Sequence, residues 1–170
     1  MKIELKNLKH YEAMSDETNS FSAKLCVDGK IAALCKDDGR GGCIDFLSVD
    51  HELLKKTEDY CKTLPQTIYA EGTPQEFKLD MTLDLFVGDL VEKSLREKEL
   101  AKFRKRMEKD CINAICYGNE TSYRSVYWKN YTITQMLGTP VGNAMIQKKV
   151  DELKERGETI LNTNLTGIIL

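Results

Sequence analysis

The residues best suited to chemistry in this chain are six cysteines, two histidines and a scatter of aspartates. Cys26, Cys35, Cys43, Cys61, Cys111 and Cys116 include no C-x-x-C pair, which argues against a zinc ribbon or a thioredoxin-type dithiol. A cysteine nucleophile needs an imidazole beside its thiol. Only His10 and His51 are available, and neither is near a cysteine in sequence. Most of the cysteines occupy positions that suit a small buried hydrophobe. Asp37, Asp38, Asp45 and Asp50 are close enough in sequence to suggest a divalent cation, but alternating carboxylates closed by a glutamate are missing. They read as solvated turn carboxylates. No catalytic residue, metal or cofactor is expected from these groups.

Two other stretches have the composition of binding surfaces. The first is Asp37-Asp38-Gly39-Arg40-Gly41-Gly42-Cys43. Free N–H groups at Gly39, Arg40, Gly41 and Gly42 would form a nest for an anion, with Arg40 adding charge. The stretch lacks the Lys-Ser/Thr of a P-loop and the G-x-G-x-x-G that opens a dinucleotide-binding helix. Its glycines are better explained by the positive φ of a long turn between strands, since turn glycines are common and phosphate loops carry more signature. The second is basic: Lys102, Arg104, Lys105, Arg106 and Lys109, with Glu108 the only acid among them. It is followed by Tyr117, Tyr123, Arg124, Tyr127, Trp128 and Tyr131. Cations that track a backbone and rings that stack on bases make a single-stranded nucleic-acid surface. The competing reading is a solvated helix face and a β-hairpin with cross-strand aromatic pairs. A formal net charge of -2 removes any bulk attraction to nucleic acid or anionic lipid, so such binding must be local.

The elements that position these groups follow from periodicity and punctuation. Residues 2–11 read as a strand with an irregularity at Asn7. Residues 21–27 and 30–36 form a hairpin around Asp28-Gly29, a type I′ turn. That turn sets Cys26 opposite Ile31, Leu25 opposite Ala32 and Ala23 opposite Leu34. Phe21, Ala23, Leu25, Val27, Ala32 and Leu34 then face the core. A fourth strand over 43–47 follows the glycines. Asp50 caps a helix over 51–63 that Pro65 stops. Residues 65–79 carry Pro65, Gly72 and Pro74, a short strand at 67–70 and the one expected subdivision of the chain.

The longest helix starts at Asp80 or Thr82 and runs to about Lys109. Leu83, Phe86, Val87, Leu90 and Val91 form one stripe, and Leu100, Phe103 and Met107 another. From Leu90 to Leu100 the stripe turns by about 80° at 100° per residue. The helix therefore breaks near 96–99, or its second half contacts something different, a partner or a second copy of the chain. Residues 111–117 and 121–128 pair around Gly118-Asn119. Thr139-Pro140 opens a last helix to Arg156 with Val141, Ala144, Met145 and Leu153 inward, and Gly157 follows as its C′ residue. Residues 160–165 return as an edge strand.

The expected fold is α+β: an antiparallel β-meander, a long central helix packed on it, and a C-terminal hairpin–helix–strand unit. A single domain over 1–170 is the expectation, with 1–64 and 80–170 as its natural subdivision. The start of the chain lacks the apolar segment of a signal peptide and no run spans a membrane, which implies a cytoplasmic chain with reduced cysteines. Residues 21–43, with F-x-A-x-L-x-x-D-G-K and D-G-R-G-G-C, resemble uncharacterised small proteins of phages and bacterial mobile elements. The resemblance implies an accessory role and transfers no functional residue. The function expected is a non-catalytic binding protein acting on a host protein or small ligand. Nucleic-acid binding through residues 102–109 and the aromatic hairpin 117–131 is the alternative.

Overall fold

The structure is a computed structural model that describes residues 1–170. It is α+β and divides into two compact units, Met1–Leu95 and Arg96–Leu170, whose boundary falls inside the longest helix rather than within residues 65–79. The division falls at the start of residues 96–99, where the apolar stripe of that helix shifts in phase.

In the first unit, β1 (Ile3–His10), β2 (Phe21–Val27), β3 (Lys30–Asp37) and β4 (Asp45–Ser48) form an antiparallel sheet in the order β1-β2-β3-β4. Asn7 sits at φ 55° where the β1–β2 register shifts, the expected irregularity. Asp28 and Gly29 both have positive φ, as a type I′ turn requires. Cys26 pairs with Ile31 as the turn dictates. Beyond it the register departs from expectation: Leu25 lies opposite Ala33, and Ala23 opposite Cys35. Ala32 is a bulge residue, its carbonyl accepting the Val49 and Asp50 N–H groups at 2.9 and 3.0 Å on the way into the next helix. One extra residue in a period-2 strand exchanges its two faces. Ala33 and Cys35 are therefore buried while Leu34, expected inside, is 39% exposed.

The helix α1 (His51–Cys61) starts at Asp50, whose carboxylate accepts the Leu53 N–H at 3.0 Å. A small ribbon follows, β5 (Thr67–Tyr69) against β6 (Phe77–Leu79), its Tyr69 and Phe77 rings stacked 5.1 Å apart. The second of these strands is too short and too polar in its surroundings to be read from sequence. Then α2 (Leu83–Cys111) runs unbroken. Its first stripe, through Leu83, Val87 and Val91, joins Phe21, Leu25, Val27 and Leu54 in the core of the first unit. Its second half belongs to the second unit, which resolves the phase shift: the helix continues and the two stripes serve different packing.

The second unit continues with the hairpin β7 (Ala114–Gly118) and β8 (Tyr123–Tyr127). A one-turn helix, α3 (Ile133–Leu137), opens with a Thr132–Gln135 capping box. The last helix, α4 (Pro140–Glu155), is capped by Thr139 with Pro140 at its start, and Gly157 follows at φ 76°. Its inner face is Gly142, Ile146, Val150 and Leu153; Val141, Ala144 and Met145 point outward, contrary to expectation. Gly142 decides this. A Cβ there would come within 2.2 Å of the Met136 carbonyl, so only glycine lets α4 approach α3 this closely. Ile160 makes a single bridge to Tyr117 instead of heading a strand. Asn162, 3% exposed, holds this return segment: its Oδ1 accepts the Cys116 N–H at 2.6 Å and its Nδ2 donates to the Ala114 carbonyl at 2.9 Å.

Candidate functional site

The cysteines are dispersed through the packing. All are free, and all but Cys43 are buried. Burial pushes the Cys35 thiol up to about 11 and the Cys116 thiol up to about 12, and raises Cys61 and Cys111 as well. These four thiols are therefore protonated at neutral pH, the unreactive form. His10 contacts a hydroxyl, its Nε2 lying 3.2 Å from Ser15 Oγ, while His51 is exposed at the start of α1. No group of three or more His, Cys, Asp or Glu side chains is placed to hold a metal ion.

The Gly-rich turn is bound to the segment before β2. The Gly39 carbonyl accepts the N–H groups of Asp16, Glu17 and Thr18 at 2.9, 3.0 and 3.3 Å. Asp37 Oδ1 accepts from Gly39 N at 2.7 Å and from Thr18 Oγ1 at 2.9 Å. Arg40 N donates to Asp38 at 3.2 Å, and Gly41 N to Thr18 Oγ1 at 3.4 Å. The amides at Gly39, Arg40 and Gly41 are thus already donated within the loop, and a nest for an external anion would have to compete with these bonds. Close approach explains Gly39, where a Cβ would lie 2.2 Å from the Met14 carbonyl, while Gly41 is explained by its φ of 80°. Next to this loop is a cleft of about 500 Å³ whose walls include Asp16, Glu17, Asp37, Asp84, Asp89 and Glu92 and no basic residue.

The second unit has the opposite character. It holds 13 Lys and Arg against 9 Asp and Glu, a net charge of +4, whereas the first unit holds 12 against 18, a net -6. On α2, Lys102, Lys105, Arg106 and Lys109 follow the spacing i, i+3, i+4, i+7, so they form one exposed row. None of the four is in an ion pair. Arg104 lies off this row and meets Glu120 at 3.7 Å. The aromatics divide. Tyr123 packs edge-on against Phe103 with centroids 5.2 Å apart, and its hydroxyl donates to Asp110 at 2.6 Å. Burial and that carboxylate push the Tyr123 hydroxyl up to about 12. Trp128 leans on the core of Ile115, Ile133, Ile146 and Val150. Tyr127 is open, 73% exposed, with Tyr131 beyond it.

A cavity of about 340 Å³ lies where α2 meets the hairpin tip, and Arg106, Tyr123 and Arg124 all line it. Fold thus brings together three residues that are separated by up to eighteen positions in sequence. Sequence spacing alone gives no sign of that convergence. No protein family, curated protein or solved structure matches the chain. No helix is long and apolar enough to cross a membrane.

Proposed function

We propose that the chain is a non-catalytic binding protein and that its second unit takes single-stranded nucleic acid. The observation that carries this reading is the unpaired row Lys102, Lys105, Arg106 and Lys109, joined at the hairpin by Arg124 and an open Tyr127. Cations in a row neutralise successive phosphates and release their counterions. An exposed tyrosine ring offers a face to any base without selecting among them. Buried, protonated thiols support recognition over nucleophilic chemistry.

The test is fluorescence anisotropy with a labelled oligonucleotide over a range of salt. Five cations on single-stranded phosphates correspond to a log–log salt slope of roughly -3 to -4. Lys105→Glu with Arg106→Glu is expected to abolish binding, and Tyr127→Ala to weaken it. A wild-type protein that ignores oligonucleotides at low salt would sink the reading.

A second reading, an accessory or inhibitor role on a host protein, is favoured by a different surface. The bulge at Ala32 turns Leu34 outward, where it pairs with Leu47, itself 68% exposed. An apolar pair in the open on a sheet face is what a protein partner covers. Leu47→Asp is expected to abolish co-elution with such a partner and to leave oligonucleotide binding unchanged.

A further inference from the structure

The cavity at the hairpin tip contains more than the nucleic-acid reading requires. We propose that it is a receptor for the terminal phosphate monoester of a single-stranded nucleic acid. This inference rests on that reading and specifies the ligand group at one end of the strand.

Arg106 and Arg124 both line the cavity, and neither has a carboxylate within ion-pair distance. Guanidinium groups present a planar fork that matches phosphate oxygens in pairs. The hydroxyls of Ser122 and Ser125 also line the cavity and have no partner within the chain, so two neutral donors accompany the two cations. A monoester near neutral pH carries a charge of about -1.5 to -2 and three terminal oxygens. A diester within the strand carries one charge and two terminal oxygens. The donor set therefore fits the end of a strand better than its interior.

The carboxylate in the wall, Asp110, is already bonded through Oδ2 to the Tyr123 hydroxyl at 2.6 Å. The loop that presents the donors is fixed. Asn119 Oδ1 accepts the Thr121 and Ser122 N–H groups at 2.9 and 2.8 Å. Gly118, at φ 138°, leaves no room for a side chain beside the Ser122 carbonyl. Donors held in place before binding lose little freedom when the ligand arrives. Tyr127 lies two residues beyond Ser125 on the same face of β8, about 7 Å along the strand. A nucleotide bridges that span, so its base can reach the open ring while its phosphate sits in the cavity that Arg106 and Arg124 line, Arg124 from the opposite face of β8 to Ser125 and Tyr127.

The experiment compares an oligothymidine with and without a terminal phosphate, at the 5′ end and at the 3′ end, by anisotropy at fixed salt. The phosphorylated strand is expected to bind about tenfold more tightly, the contribution of one or two charge-assisted bonds. Arg106→Gln and Arg124→Gln should each remove most of that preference. Lys102→Gln should weaken both strands and leave their ratio unchanged. Amide spectra of the variants verify the fold, both arginines being exposed. If all strands bind equally, the terminal-phosphate receptor is overturned and the nucleic-acid reading stands. If no strand binds but inorganic phosphate shifts the Ser122 and Arg124 amide resonances, both fall and only an anion site is left. A phosphoserine peptide that binds as tightly as the phosphorylated strand would also overturn the assignment to nucleic acid.

Discussion

Several acidic side chains in the first unit bond to its backbone, while most basic side chains in the second, Arg104 and Lys149 apart, make no ion pair. In Met1–Leu95, Asp37, Asp50 and Asp84 accept the N–H groups of Gly39, Leu53 and Ile44 at 2.7, 3.0 and 2.6 Å. Each carboxylate satisfies an amide that a turn or helix start would otherwise leave unpaired. In Arg96–Leu170, Lys102, Lys105, Arg106, Lys109 and Arg124 bond to no carboxylate. The formal net charge of -2 is the sum of a unit at -6 and one at +4, and the mean conceals both. Whole-chain charge is therefore a poor guide to partners when a chain divides in this way.

That contrast can be broken most sharply through the polar centre of the second unit. Asn162→Leu would strip the Cys116 N–H and the Ala114 carbonyl of their side-chain partner. Each orphaned buried group costs about 1–3 kcal/mol, so a loss of about 3 kcal/mol is expected. Trp128, the only tryptophan and packed on this core, reports it by fluorescence in a urea titration. A loss under about 1 kcal/mol would mean that the return segment is not held by this residue.

The corresponding break in the first unit is Gly39→Ala. A left-handed alanine costs about 1–2 kcal/mol, to which the clash with the Met14 carbonyl adds. Gly42→Ala is the control: φ is also positive, at 113°, but nothing lies within 4 Å of the added carbon. It should cost less than Gly39→Ala, and equal losses would show that conformation rather than close approach fixes the loop.

Smaller effects sharpen the comparison. Tyr123 titrates above its ordinary range because burial and Asp110 favour the neutral hydroxyl. A raised acid pKa contributes stability below pH 10, the unfolded value, and loses it as pH climbs towards 12. Tyr123→Phe should cost about 1 kcal/mol near pH 7 and remove the part of the alkaline decline due to this group. A decline unchanged in the variant would assign it to other groups. Arg104→Ala should do least, under about 0.5 kcal/mol, since its contact with Glu120 is exposed on both sides. A similarly small change in oligonucleotide affinity would separate it from the row on the neighbouring face of α2.

Much of the fold was legible because its signals are local. Asp28-Gly29, the Asp50 cap, Thr139-Pro140 and the glycine after α4 each act over a few residues, and each is found where the sequence puts it. The errors share one cause. Nothing in residues 30–37 announces that Ala32 will be skipped, because the bulge is fixed by amides from residues 49 and 50. Nor does α4 itself show which face is inner, since Gly142 is selected by a carbonyl on another helix. For the candidate site, the basic and aromatic residues could be named from sequence, but their sorting could not. Trp128 packs on a core, Arg104 faces Glu120, and Arg106 reaches the same cavity as Arg124.

Sequence by itself determined most of the segments that become strands and helices, where they turn and stop, and which side chains carry charge, though not β6, α3 or the return at Ile160. Those properties depend on backbone preference and on contacts within a turn or two. Tertiary structure decided which face of β3 and α4 is buried, which stripe of α2 joins the core of the first unit, and which arginines line one cavity. Those outcomes depend on hydrogen bonds and close approaches between residues far apart in the chain, and no local pattern encodes them.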